Sequence, residues 1–231
     1  MDNSLMLEGA RSMGIELSCS QQLAFQSYYD SILKWKDRVN LVSRNDRGRL
    51  VSRHFLDSLT PISEALIPES GTLVDIGSGA GFPGIPLAIC KPGLTVRLIE
   101  SNRKKGSFLR YALKAIGLAE RVSVLLDRAE TVASGIPSED LFDVVVSRAV
   151  GSIRTLVSLG SPLLKPGGII LLYKGPDIGD ELKKAAYSIC AASCIVERVL
   201  RYSPPMHSNG STLVVIQKKE SSRVYPPAPA F

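Results

Sequence analysis

The segment Leu73-Val-Asp-Ile-Gly-Ser-Gly-Ala-Gly-Phe-Pro-Gly84 divides into a short apolar strand, a glycine loop and the start of a helix. Residues 73–76 are the strand. Gly77, Gly79 and Gly81, at alternate positions, let the backbone take conformations closed to other residues and approach a ligand closely. Pro83 suits a new helix start, where its missing N–H has no partner to lose. A strand, a glycine loop and a helix in this order open a doubly wound α/β sheet, whose ligands bind outside the carboxyl ends of the strands.

Working outward, short apolar runs without strict alternation recur at 96–99, 122–126, 142–146, 169–173 and 213–216. Helical spacing separates them at 104–116, 153–164 and 181–192. Near-continuous apolar strands alternating with helices predict a mostly parallel sheet, covered on both faces in the Rossmann-like manner. Before the sheet, Phe25, Tyr28, Ile32, Trp35 and Val39 recur at steps of three and four, the stripe of an amphipathic helix with Ser20 as its cap. A more basic helix is expected over 47–59, ended by Pro61. The chain therefore reads as an N-terminal helical extension at 1–65, an α/β domain at 66–220 and a flexible, Pro-rich tail at 221–231.

Hydrophobic residues make up 45% and charged residues 22% of the 231 positions, the balance of a globular domain. The first ten residues lack a leader-like apolar core and no apolar run reaches membrane-spanning length, so a cytoplasmic, membrane-free monomer is expected. Cys190 and Cys194 stand one helical turn apart, but no second pair of ligands sits at metal spacing, and no metal is expected. The net charge of +6 suits a polyanionic partner.

The details of the loop select its ligand. A dinucleotide loop places glycine at the sixth position from Gly77, where this chain has Phe82. Asp75, two residues before Gly77, suits a cationic amino-acid ligand and repels a pyrophosphate. Glu100 follows the second strand and suits both hydroxyls of a ribose. The backbone N–H of Ala129 and the side chain of Glu130, after the third strand, suit an adenine ring. An amino acid, a ribose and an adenine together make S-adenosylmethionine, with Asp75, Gly77, Gly79 and Glu100 as the strongest signal.

Four stretches, Arg53-His-Phe-Leu-Asp-Ser58, Val74-Asp-Ile-Gly-Ser-Gly-Ala-Gly-Phe-Pro-Gly-Ile-Pro86, Asp127-Arg-Ala-Glu130 and Ser147-Arg-Ala149, come in an order and spacing that resemble the glucose-inhibited division protein B family. These are bacterial methyltransferases acting on a guanine ring nitrogen, position 7, in small-subunit (16S) ribosomal RNA. The resemblance spans about 23–218. It implies a seven-stranded class I S-adenosylmethionine-dependent methyltransferase, with cofactor contacts at Gly77, Phe82, Ala129, Glu130 and Arg148. The chain departs from the family at Ser211, where an arginine is usual, at Tyr173, where a smaller residue is usual, and in its tail, where 225–231 hold no lysine or arginine.

The nucleophile is read from what is missing. No Pro-Pro-aromatic signature of an exocyclic-amine methyltransferase follows the fourth strand, and no cysteine sits where a pyrimidine carbon would need one. Guanine N7 carries a free lone pair and no proton, so its attack needs no general base. Catalysis then rests on positioning, with Arg148 and Lys174 as the candidate groups. Arg148 is expected to hold the cofactor, a guanine edge or a phosphate, the alternative being a strand-end pair with Asp143 or Glu130, and His54 and Asp57 face each other at helical spacing. Arg47, Arg53, His54 and Lys174 are the expected RNA contacts, with Arg44, Arg49 and the run 103–105 adding charge. The competing readings are a methyltransferase for another RNA or a small molecule, and a non-catalytic RNA-binding module on the same fold.

Overall fold

The computed structural model describes residues 1–148, 151–205 and 210–220, without the side chains of residues 44, 45 and 47. The tail at 221–231 lies outside the described residues, as does Ala149. Seven strands form one sheet: β1 (Ser70–Ile76), β2 (Gly93–Ile99), β3 (Val122–Leu125), β4 (Phe142–Arg148), β5 (Leu164–Lys174), β6 (Cys194–Tyr202) and β7 (Ser211–Lys218). Their order is β3-β2-β1-β4-β5-β7-β6, parallel except for β7, which runs antiparallel to both neighbours. The topological switch point therefore falls between β1 and β4, directly above the glycine loop.

Side chains alternate between the two faces, and the cores follow that alternation. Val74 and Ile76 of β1, Ile170 and Leu172 of β5, and Val214 and Ile216 of β7 join one core. It is covered by α6 (Ala129–Gly135), α7 (Ile153–Gly160) and α8 (Gly179–Ala191). Leu73, Leu171, Tyr173, Leu213 and Val215 face the other way. On that side α4 (Gly84–Cys90) and α5 (Arg103–Ala115) cover only the β1–β3 half.

The N-terminal segment supplies the missing cover. It comprises α1 (Asn3–Ser12), α2 (Cys19–Trp35), a 3-10 turn at Arg44–Arg49, a π turn at Val51–Leu56 and α3 (Thr60–Ser63). Met6, Phe25, Tyr28, Phe55 and Leu59 share one core with Leu73, Leu171 and Leu213. Tyr173, the residue set apart by its size, donates its hydroxyl to the Ser58 carbonyl at 2.9 Å, and Tyr202 of β6 donates to Asp57 at 2.7 Å.

Several sequence expectations shift. The cap of α2 is Ser18, not Ser20, in a reciprocal box with Gln21. The single helix expected over 47–59 is instead a 3-10 turn followed by a π turn, and Pro61 stands in the first turn of α3 instead of ending a helix. β6 was not foreseen because its face is largely exposed and reads as a mixed, charged segment. Cys190 lies in the last turn of α8 whereas Cys194 opens β6, so the two are not one turn apart on a helix. No group of metal-ligating side chains occurs among the described residues, and no described helix is long and apolar enough to cross a membrane.

Candidate functional site

β1 and β2 end level, Ile76 opposite Ile99, so the glycine loop and Glu100 emerge side by side. Gly77, Gly79 and Gly81 have φ of 70°, 58° and 97°, values that favour glycine. The N–H groups of Gly77 and Ser78 donate to the Ile99 carbonyl, each at 3.0 Å. Below the loop, Asp75 Oδ2 accepts from the Gly84 N–H at 2.9 Å, and the Tyr28 hydroxyl donates to the Ala80 carbonyl. Neither Gly81 nor Gly84 has space for a side chain. A Cβ at Gly81 would lie 2.8 Å from the Tyr28 hydroxyl, and one at Gly84 would lie 2.9 Å from Asp75 Oδ2.

Asp75 is fully buried and its Oδ1 has no hydrogen-bond partner. Burial pushes its carboxyl up to about 7, against the Gly84 N–H, Arg148 and Ser78, which pull it down. An unpartnered carboxylate oxygen under a glycine loop fits a ligand ammonium, which would supply the missing partner and favour the charged form.

Gly77, Glu100, Ala129 and Glu130, four residues expected at the cofactor, line one cavity of about 230 Å3 with Ile76, Ile99, Asp127 and Leu159. That volume is below the usual range for a whole drug-sized ligand and matches a nucleoside portion. Glu100 differs from expectation in one respect. Its oxygens already accept from the N–H groups of Gly79 at 2.9 Å and Asn102 at 2.8 Å, because the loop folds back over the strand end. It therefore braces the loop, and each oxygen keeps one lone pair for a ribose hydroxyl.

Phe82 and Arg148 do not line that cavity. Phe82 is buried among Tyr28 and Phe55 and stacks on His54 with ring centres 5.0 Å apart. The Arg148 guanidinium lies 4.9 Å from the centre of the Phe82 ring. Arg148 is not paired to Asp143 or Glu130. Its Nη1 reaches Asp57 Oδ2 at 3.2 Å and the carbonyls of Arg53 and His54, and its Nη2 donates to His54 Nδ1 at 2.8 Å. Asp143 instead pairs with Lys165. His54 and Asp57 consequently make no bond to each other and are joined through Arg148, because the π turn aims both at the end of β4.

His54, Asp57 and Arg148 line a second cavity of about 470 Å3, together with Asp46, Arg53, Tyr173, Lys174 and Tyr202. Burial, then the Arg148 charge, push the His54 imidazole down to about 3, so it is neutral at physiological pH. Since an arginine only donates, Nδ1 accepts and Nε2 carries the proton. The cations expected to grip RNA are partly committed. Lys174 Nζ donates to Glu181 and to the Gly151 carbonyl, each at 2.8 Å, and Arg53 pairs with Asp46 at 3.0 Å. The Arg47 side chain lies outside the described residues. Tyr202 was missed and Asp57 was read only as a partner of His54, since the Arg148–Asp57 and Tyr202–Asp57 bonds join positions 91 and 145 residues apart and leave no spacing signal.

A family model described as GidB, rRNA small subunit methyltransferase G, matches residues 21–208. The chain is similar to the ribosomal RNA small subunit methyltransferase G of Lachnoclostridium phytofermentans, 37% identical over 228 residues that cover 98% of this chain and 94% of that protein. It is 42% identical to the protein of the same name from a Roseiflexus species over 186 residues, covering 80% and 78%. Among solved structures, M. jannaschii TYW2 in complex with AdoMet shares the fold, with a TM-score of 0.51 at 19% identity over 64% of this chain and 68% of that one.

Proposed function

The chain belongs to the GidB family, the rRNA small subunit methyltransferases G, and from that membership we propose that it methylates ring nitrogen 7 of a guanine in 16S ribosomal RNA. One observation carries the choice of atom. Among the described residues of the second cavity, each carboxylate and the imidazole are already engaged: His54 Nδ1 and Asp57 by Arg148, and Asp46 by Arg53. A nucleophile that must lose a proton would find no acceptor there, whereas N7 needs none.

S-adenosylmethionine, when bound, supplies an electrophilic methyl group on sulfonium sulfur. The chain's residues do the rest by holding the partners. Asp75 takes the ammonium end under the glycine loop, and Gly77, Gly79 and Gly81 keep the backbone free of side chains along the ligand. Glu100, Ala129 and Glu130 enclose the nucleoside end. On the other side of the loop, Arg148, fixed by Asp57 and His54 over Phe82, forms a rigid wall against which a base is placed, with Arg53 and Lys174 at the rim. Methyl transfer forms one N–C bond from the N7 lone pair, breaks one S–C bond and moves no proton. Its acceleration therefore rests on positioning. A ribosomal RNA substrate supports the cytoplasm as the place of work.

Ribosomal RNA in which guanine is replaced by 7-deazaguanine tests the atom. The native RNA accepts a labelled methyl group and the deaza RNA accepts none. Equal labelling of the two would move the reaction to another atom, and labelling of free nucleosides alone would favour the small-molecule reading.

A further inference from the structure

Of the cations expected to hold RNA, Arg53 and Lys174 are held in ion pairs at the second cavity, and unpaired positive charge stands on another element. Helix α5 reads RKKGSFLRYALKA, with five cations and no acid. Arg103, Lys104, Lys105, Arg110 and Lys114 make no ion pair with a described residue. Arg103, Ser107, Arg110 and Lys114 are exposed at helical spacing on one stripe, while Phe108, Leu109, Ala112 and Leu113 are buried on the other.

Three of these cations occupy the first turn, at the positive end of the helix dipole, where each opposes the helix itself. Asn102 caps that end by accepting from the N–H groups of Lys104 and Lys105. The charge extends onto the end of α2 and the residues just after it. Lys34 donates to the Tyr111 hydroxyl at 3.0 Å, and Arg38 lies over the Trp35 ring, which itself packs on Phe108 and Tyr111. Exposed Asp30 and Asp37 are the acids of that stretch, too few to neutralise the face. The stripe begins two residues beyond Ser101, which lines the nucleoside cavity.

We propose that the exposed face of α5, extended by Lys34 and Arg38, is the main phosphate-contacting surface for the RNA strand that flanks the target guanine. This rests on the methyltransferase reading above. Unpaired cations release counterions from RNA when they meet its phosphates, whereas cations already in ion pairs release few. The backbone is thereby gripped beside the loop while Arg148 and its neighbours receive the base, a division between positioning and recognition contacts.

The test measures affinity for a 16S rRNA fragment by fluorescence anisotropy from 50 to 200 mM KCl. Wild type is compared with the triple variant R103Q/R110Q/K114Q and with a control, K183Q/K184Q, on the opposite side of the sheet. With ~0.7 of slope lost per single-strand phosphate contact, the triple variant loses about 2 units of slope. The fourfold salt increase then costs it roughly 20-fold less affinity than it costs wild type. Its KM for RNA rises, its turnover at saturating RNA holds, and its affinity for S-adenosylmethionine is unchanged. An unchanged slope, or an equal loss in the control, overturns the assignment. Absence of salt-dependent RNA binding by the wild type overturns the reading as an RNA methyltransferase itself.

Discussion

Replacing Arg148 with alanine is the sharpest perturbation of the site's framework. The guanidinium ties the end of β4 to the π turn through Asp57, His54 Nδ1 and two carbonyls, with side-chain exposures of only 13% for Arg148 and 12% for Asp57. Removing one partner of such a pair leaves the other charge buried, at a cost of about 3–5 kcal/mol. The lost contact with the Phe82 face adds to this. At a urea dependence of about 2–3 kcal/mol per molar, the unfolding midpoint falls by roughly 1–2 M. Asp57→Asn in the same background removes the stranded charge, so the double variant is destabilised by less than the sum, with a coupling of at least ~1 kcal/mol. The His54 imidazole, freed of the Arg148 charge but still buried, titrates higher than in the wild type. A midpoint shift below about 0.3 M, or strictly additive single variants, would refute the view that Arg148 holds the N-terminal segment to the sheet.

The remaining predictions concern the loop and its cover. Gly81→Ala, whose Cβ would meet Ile85 at 2.5 Å and Tyr28 at 2.8 Å at a φ of 97°, costs about 3 kcal/mol or more in thermal unfolding. Gly79→Ala, with nothing nearer than the Gly77 carbonyl at 3.8 Å, costs only about 1 kcal/mol, yet weakens S-adenosylmethionine binding at least ~10-fold by calorimetry. Asp75 titrates at about 7 when folded and near 3.9 when unfolded, so the folded chain holds its proton longer. Its contribution is complete below about pH 4 and is lost as pH rises to about 7, on the order of 4 kcal/mol in all. Urea midpoints between pH 4.5 and 7.5 should therefore fall more steeply for wild type than for Asp75→Asn, and parallel curves would contradict the buried acid. A chain lacking residues 1–65 exposes Leu171, Tyr173, Leu213 and Val215 and should bind hydrophobic dye without a cooperative melt; a sharp transition would show that the α/β part folds alone.

The glycine loop, the parallel sheet and the grouping of Gly77, Glu100, Ala129 and Glu130 were legible because each rests on local pattern: a strand followed by glycines, or acids at strand ends. β6 was not, since an edge strand that buries little carries no apolar run for periodicity to find. The engagement of Lys174 by Glu181 and of Arg148 by Asp57 was equally hidden. Sequence shows where a cation stands along a strand but not which acid from another element folds against it. The N-terminal helices were visible as helices. Their part in completing one face of the sheet was not, because it depends on α6, α7 and α8 all lying on the other side.

The central claim is transfer of a methyl group to guanine N7 in 16S ribosomal RNA. It is tested most directly by incubating the purified protein with S-adenosylmethionine and small-subunit RNA from cells lacking the gene, then mapping 7-methylguanine by borohydride reduction and aniline cleavage. The account predicts strand scission at one guanine, dependent on the cofactor and abolished in Gly79→Ala. Methylation without scission, or scission spread over many guanines, would contradict it.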